Sequence, residues 1–296
     1  MKDKDKNSNL TGSLEFAGGR CGVLLIHSLG GNPIELRFVA QALARDGYTV
    51  HCPLLHGLGG GTDLAGLSEW TDWYAGVETA YARLKAKCDT VMVGGMSAGG
   101  MLALRLAAEK GDAIHSVMLF APTLWPNGWS IPWYSVLFKL VRDKYVASLF
   151  HFRQRAPFGI KDERIRNFVL DSFNNDNRPA EDLLGRSGTV LFQFRRMVDT
   201  VKRQLGDVRQ PTLIFHPRHD DQSDLSNAMT LQRKLGGLVE MSVLDDSYHM
   251  VTLDRQRGYV VDRTVEFVRR QTARIADAAA VAKIVKSAKP AAAAAE

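Results

Sequence analysis

The sequence predicts an α/β protein: a mostly parallel central sheet of about six to seven strands, covered by helices on both faces and interrupted by a helical insertion. Three observations lead there. Short β-branched and leucine-rich runs alternate with helical stretches from residue 21 to residue 275. These runs are apolar at consecutive positions, as strands buried on both faces must be. Residues 91–102 read Val-Met-Val-Gly-Gly-Met-Ser-Ala-Gly-Gly-Met-Leu, an apolar strand passing through Gly95-Met96-Ser97-Ala98-Gly99 directly into helix formers. A chain of 296 residues can bury a large core in one such domain.

Taken in order, residues 21–27 form a leucine-rich strand and residues 33–46 a helix. A second strand follows over 48–53, then a long amphipathic helix over 68–87. The strand over 90–94 leads into the glycine-flanked turn and its helix, and 116–121 is a further strand. Two more strands lie at 211–215 and 239–244, with helices over 225–235 and 258–275. Residues 123–206 break this rhythm: they hold Trp125, Trp129 and Trp133, show helical periodicity and contain no clear strand. An insertion at that point sits over the C-terminal strand edges, so it is expected to form a cap lining a pocket with apolar side chains, those tryptophans included. The division is therefore a core over 14–122 and 207–276, a cap over 123–206, and flexible termini at 1–13 and 277–296. The last of these is alanine-rich with little to bury.

Composition narrows the class. The first ten residues are polar and charged with no apolar signal region, and no apolar run reaches membrane-spanning length, so the cytoplasm is the expected compartment. Three scattered cysteines, Cys21, Cys52 and Cys88, suit reduced thiols, and no His/Cys/carboxylate spacing implies a metal or other cofactor. The formal charge of +6 is concentrated between Lys139 and Arg166, where eight basic residues face three acidic ones. A solvated helix face explains such a run; so does attraction of an anionic substrate or weak contact with an acidic membrane surface. No nucleic-acid-binding motif accompanies the charge. The glycine-rich stretch from His56 to Gly61 opens no helix and lacks phosphate-loop spacing, and is expected to be a flexible loop beside the site.

The chemistry centres on Ser97. A serine on a sharp strand-to-helix turn sits in strained backbone, and flanking residues with a Cβ would clash with the crossing elements, hence the glycines. Serine is a weak nucleophile at neutral pH and needs an imidazole oriented by a carboxylate. Of eight histidines, His249 is distinguished by place, following the last strand and preceding the closing helix. His27, His56, His115, His151 and His216 read as structural or surface residues, and His219 as a loop residue. Asp220 leaves the strand over 211–215 toward the His249 loop, with Asp221 the close competitor and Asp224 a helix cap. Oxyanion donors are expected from the Ala98 N–H and from the Leu29 N–H of the glycine-rich loop after the first strand.

These segments resemble the small bacterial carboxylesterases and monoacylglycerol lipases of the α/β-hydrolase superfamily over roughly residues 16–268. The matching stretches are Gly22-Val-Leu-Leu-Ile-His27, Gly47-Tyr-Thr-Val50, the Gly95–Gly99 turn, Arg218-His-Asp220 and Tyr248-His-Met-Val-Thr-Leu-Asp254. The resemblance places the acid at Asp220 and implies a serine hydrolase acting on small-molecule esters through an acyl-enzyme, with no cofactor. The chain departs from the family at Ser28, where glycine usually follows the histidine. An acyl thioesterase, acyltransferase or peptidase could use the same triad, and a binding module could carry it without turnover. No feature of the sequence specifies an oligomeric state.

Overall fold

A computed structural model describes residues 12–58, 68–173 and 185–293. Seven strands form the main sheet: β1 (Leu14–Phe16), β2 (Cys21–Ile26), β3 (Thr49–Cys52), β4 (Thr90–Met96), β5 (Val117–Phe120), β8 (Thr212–Pro217) and β9 (Val239–Leu244). Their spatial order is β1-β3-β2-β4-β5-β8-β9. All pairings are parallel except the edge strand β1, which runs antiparallel to β3. The strand order reverses beside β2 and β4, and ligands of open α/β sheets sit at the carboxyl ends of strands at such a switch.

Side chains alternate between two apolar layers. Val23 and Leu25 of β2 join Met92 and Met96 of β4 on one face, with Phe120 of β5 and Phe215 of β8 stacked at 5.8 Å. Helices α1 (Arg37–Arg45) and α8 (Arg257–Ala293) cover that face through Val39, Leu43, Val260 and Phe267. Leu24, Ile26, Val91 and Val93 point the other way, into a layer closed by α2 (Trp70–Lys85) and α3 (Ala98–Lys110). Both faces of the sheet are therefore buried, which is why its strands read as continuous apolar runs.

Between β5 and β8 the chain forms a 3₁₀ stretch over Trp133–Leu140, then α4 (Lys144–Ser148), α5 (Glu163–Phe173) and α6 (Gly188–Gln204). It also forms two very short strands, β6 (His151–Phe152) and β7 (Arg186–Ser187), paired antiparallel. A strand of two residues is too short to leave a periodic signature, so the expectation of no strand here is corrected. Packing does not change at residue 206: Val190, Phe194, Met197, Val198 and Val201 of α6 lie in the same apolar layer as α2 and α3. At the other end α8 continues past residue 275 to Ala293, because alanine sustains helix without needing anything to pack on. Helix α7 (Ser226–Lys234) completes the set. Of the expected flexible segments, residues 1–11 and 294–296 lie outside the described residues, as does the glycine-rich loop from Gly59 onward. Among the described residues no helix is long and apolar enough to cross a membrane.

Gly99 shows how tightly the helix start is seated. A Cβ there would overlap the carbonyl oxygens of Ile26 and His27 at the end of β2. We expect Gly99→Ala to destabilise the fold by about 1–3 kcal/mol in denaturant titration. Gly206→Ala, where a Cβ meets nothing within 4 Å, should stay within about 0.5 kcal/mol. Equal effects of the two would contradict this packing.

Candidate active site

Ser97 stands between β4 and α3 with φ 52° and ψ −115°, a conformation that side-chain-bearing residues adopt only under constraint. Its N–H donates to the Phe120 carbonyl at 2.8 Å, tying the turn to β5. Gly95 and Gly99 allow it: a Cβ on Gly95 would overlap the Gly99 carbonyl. The turn lifts the Ser97 side chain above the carboxyl end of the sheet.

Three loops converge there. Ser97 Oγ lies 3.0 Å from His249 Nε2, and His249 Nδ1 lies 2.8 Å and 3.1 Å from the two Asp220 oxygens. His249 and Asp220 are each only 2 % exposed, so their attraction is little screened by water. Asp220 Oδ1 also accepts the N–H groups of Gln222, at 2.8 Å, and Ser223, at 2.9 Å. Burial pushes the Asp220 pKa up, but the charge and hydrogen bond of His249 outweigh it and hold the carboxyl below its usual range. Burial likewise pushes His249 down, and the charge and hydrogen bond of Asp220, helped by Asp221 and Glu35, carry it above the ordinary histidine value. Each group thus favours the ionised state of the other.

Asp221, the competitor in sequence, makes no hydrogen bond to the imidazole ring. One of its oxygens accepts the Gly159 N–H at 2.8 Å and the other the His249 N–H at 3.3 Å, so it holds the histidine loop by its backbone. Burial, then the neighbouring Asp220, pushes its pKa up to about 6. Asp254 performs a similar task, accepting the N–H groups of Tyr248, Lys161 and Asp162 at 2.7, 2.9 and 3.0 Å. Asp224 takes the Ser226 N–H at 2.9 Å where α7 begins. Thr123 and Ser223 were not visible as site residues: Thr123 Oγ1 lies 3.1 Å from Ser97 Oγ and 3.0 Å from Ser223 Oγ. Thr123 follows the end of β5, and position at a strand's carboxyl end was the signal available for it.

Among the remaining histidines, His151 lines the cavity around Ser97, and His27, His216 and His219 lie outside the proton-transfer chain. His27 is fully buried, lies 2.9 Å from the Ser28 carbonyl through Nδ1, and accepts the Leu55 N–H at 3.0 Å through Nε2. Burial lowers its pKa to about 4, so it is neutral and structural. His216, buried beside Asp220, lies 2.9 Å from the Ser223 carbonyl through Nε2. His219 is exposed, with its carbonyl bound by Trp129.

Leu29 and Ala98 both border Ser97 at a cavity of ≈ 590 Å³. Among the described residues neither backbone N–H meets a protein acceptor, which leaves both free for a developing oxyanion. The cavity wall is largely aromatic, built from Trp125, Tyr134, Phe138, Phe150, Phe152 and Phe194, with Arg153, Arg155 and Arg186 also lining it. A second cavity of ≈ 210 Å³ shares Leu29, Ser97, Gln154, Arg186, Gln222 and His249 with the first, so the serine stands where the two meet. Of the three tryptophans expected in the wall, only Trp125 is there. Trp129 donates its indole N–H to the His219 carbonyl at 3.1 Å and packs edge-on against Tyr248 at 5.6 Å. Trp133 is 82 % exposed. Consecutive residues of a 3₁₀ turn point in different directions, so Tyr134 and Phe138 face the cavity instead.

The geometry defines a serine hydrolase on an α/β-hydrolase fold. Residues 20–256 match the family model described as serine aminopeptidase, S33, and the chain belongs to that family. It is 28% identical over 257 residues to a thermostable monoacylglycerol lipase of Bacillus sp. strain H-257, covering 84% of this chain and 90% of that protein. It is 22% identical over 257 residues to a carboxylesterase of Bacillus subtilis strain 168, covering 86% and 95%. Among solved structures it resembles one of the metagenome-derived lipolytic enzymes LipS and LipT, with a TM-score of 0.72 and 24% identity over 88% of this chain and 98% of that one.

The raised His249 pKa gives a test of whether this residue serves as a general base. A general base must be unprotonated, so kcat/KM should rise with pH and reach half its plateau above about 6.5, the ordinary histidine value. Asp220→Asn removes the anion that raises it; the midpoint should fall and the rate drop by about 10⁴-fold. An unmoved midpoint in that variant would contradict the assignment.

Proposed function

We propose that this serine hydrolase cleaves carboxylic esters through an acyl-enzyme, in the manner of a carboxylesterase or monoacylglycerol lipase. Ser97 Oγ attacks the ester carbonyl as His249 takes its proton. Asp220 holds the imidazole and stabilises its charge, and the N–H groups of Leu29 and Ala98 receive the oxyanion. His249 then protonates the leaving alcohol and activates the water that releases the acid. The observation that carries this reading is the hydrogen-bonded chain Ser97–His249–Asp220 at the junction of the two cavities. The aromatic part of the wall suits an apolar acyl chain. In this reading the inserted residues ahead of α6 act as a cap over the site, while α6 itself packs with the core.

The experiment is a panel of p-nitrophenyl esters, acylglycerols and acyl-CoA thioesters on the purified protein, repeated with Ser97→Ala. Esters with apolar acyl chains should be turned over fastest, and the variant should lose about 10⁶-fold in kcat. Preferential thioester turnover, or substantial activity in the variant, would overturn the reading.

The inserted segment also supports contact with an anionic membrane surface. Leu140, Tyr145 and Leu149 are 75, 83 and 83 % exposed, and Lys139, Arg142 and Lys144 lie between and beside them. Exposed apolar side chains interleaved with cations match a lipid interface whose headgroups are negative. Sedimentation with phosphatidylglycerol vesicles should bring the protein down at low salt and release it at about 0.5 M salt, where screening is strong. Equal partition to neutral phosphatidylcholine vesicles would contradict the electrostatic part.

A further inference from the structure

A buried carboxylate that takes no part in the proton transfers lies against the loop after β2. Glu35, in the 3₁₀ turn Pro33–Leu36, is 5 % exposed. Its Oε1 accepts the Ser28 N–H, and its Oε2 accepts the Ser28 hydroxyl at 2.9 Å. The Ser28 that departs from the family pattern is therefore the residue this carboxylate grips. The backbone carbonyl of Glu35 accepts the Thr252 hydroxyl at 2.6 Å, which ties the turn to the loop carrying His249.

Three successive peptide planes are held in this loop. The plane before Ser28 is held at its N–H by Glu35. The plane between Ser28 and Leu29 is held at its carbonyl by His27 Nδ1, at 2.9 Å, and by the Gly31 N–H, at 3.1 Å. The plane between Leu29 and Gly30 is held at both ends. Arg186 Nη2 donates to the Leu29 carbonyl at 3.0 Å, and the Gly30 N–H donates to the Leu58 carbonyl at 2.5 Å. In a trans peptide the carbonyl and the next N–H point in opposite directions within one plane. Fixing the Ser28 carbonyl and its neighbouring planes therefore fixes where the Leu29 N–H points. Arg186 belongs to the segment inserted between β5 and β8, so the loop is gripped from the core side by Glu35 and from the insertion by Arg186.

We propose that Glu35 is a positioning residue for the oxyanion hole, holding Ser28 so that the Leu29 N–H is aimed at the carbonyl oxygen of an ester attacked by Ser97. This rests on the reading of Ser97 as the nucleophile. Glu35 borders the smaller cavity but makes no hydrogen bond to Ser97 or His249, and its effect on the oxyanion passes through the loop backbone. Glutamine in its place keeps a carbonyl oxygen to accept the Ser28 N–H and gains an amide that donates to the Ser28 hydroxyl oxygen, so it preserves the grip. Alanine removes it.

The test compares Glu35→Gln, Glu35→Ala and Ser97→Ala for kcat, for KM, and for inhibition by a trifluoromethyl ketone, whose adduct with serine carries the oxyanion. Glu35→Ala should lose about 10²-fold in kcat, as when one oxyanion donor is lost, with KM changed less than threefold. Its affinity for the ketone should fall by a similar factor, and Glu35→Gln should recover most of both. Should the alanine variant fail to fold, the glutamine variant decides: kcat and ketone affinity within about fivefold of the parent support the positioning role, and a hundredfold loss of both overturns it. In a folded alanine variant, unchanged ketone affinity also overturns it, whatever happens to kcat. Loss of the nucleophile reading shows separately, as turnover that survives in Ser97→Ala.

Discussion

The structure depends on one constrained turn. Ser97 occupies a backbone conformation of the kind that costs about 1–3 kcal/mol and persists only where its surroundings dictate it. Those surroundings are the crossing of α3 over the end of β2, close enough that only glycine fits at position 99, and the hydrogen bond from Ser97 to β5. The two apolar layers hold the strands that supply these contacts. Rigidity of the core is thus converted into placement of one hydroxyl above the sheet.

Charge is arranged around that hydroxyl with the same economy. Asp220 and His249 are buried and each stabilises the charged form of the other, while Asp221, Asp254 and Glu35 act on backbone N–H groups. A buried carboxylate needs such donors, since leaving it unpaired away from water is costly. Here the donors belong to the loops that carry the histidine and the oxyanion amide, so satisfying the carboxylates also sets the geometry of the site. The segment between β5 and β8 is tied in by the same means, through Gly159 to Asp221, Lys161 to Asp254 and Arg186 to Leu29.

Much of this was legible in the residues. Strands buried on both faces announce themselves as apolar runs, and the turn at Ser97 has a glycine signature because its crowding is local. Asp220 was chosen over Asp221 from its place after the strand, with the resemblance in agreement, and the structure supplies a reason: Asp220 meets the imidazole while the Asp221 oxygens are taken by the Gly159 and His249 N–H groups. Other features left no local trace. Three tryptophans were credited to the cavity wall and one belongs: Trp133 opens a 3₁₀ turn that leaves it exposed, and Trp129 is drawn to the His219 carbonyl. Glu35 sits in an ordinary helical stretch, and nothing in its neighbours shows that its carboxylate reaches back to Ser28. Contacts made across loops are set by tertiary placement, and pattern reading does not reach them.

The central claim is that Ser97, activated by His249, is the atom that becomes acylated. Its most direct measurement is mass-spectrometric mapping of the purified protein after reaction with a fluorophosphonate probe, which forms a stable adduct with an activated serine. The account predicts one adduct per chain, on the peptide containing Ser97, and none in a His249→Ala variant over the same time. An adduct on another residue, or equal labelling without the histidine, would contradict it.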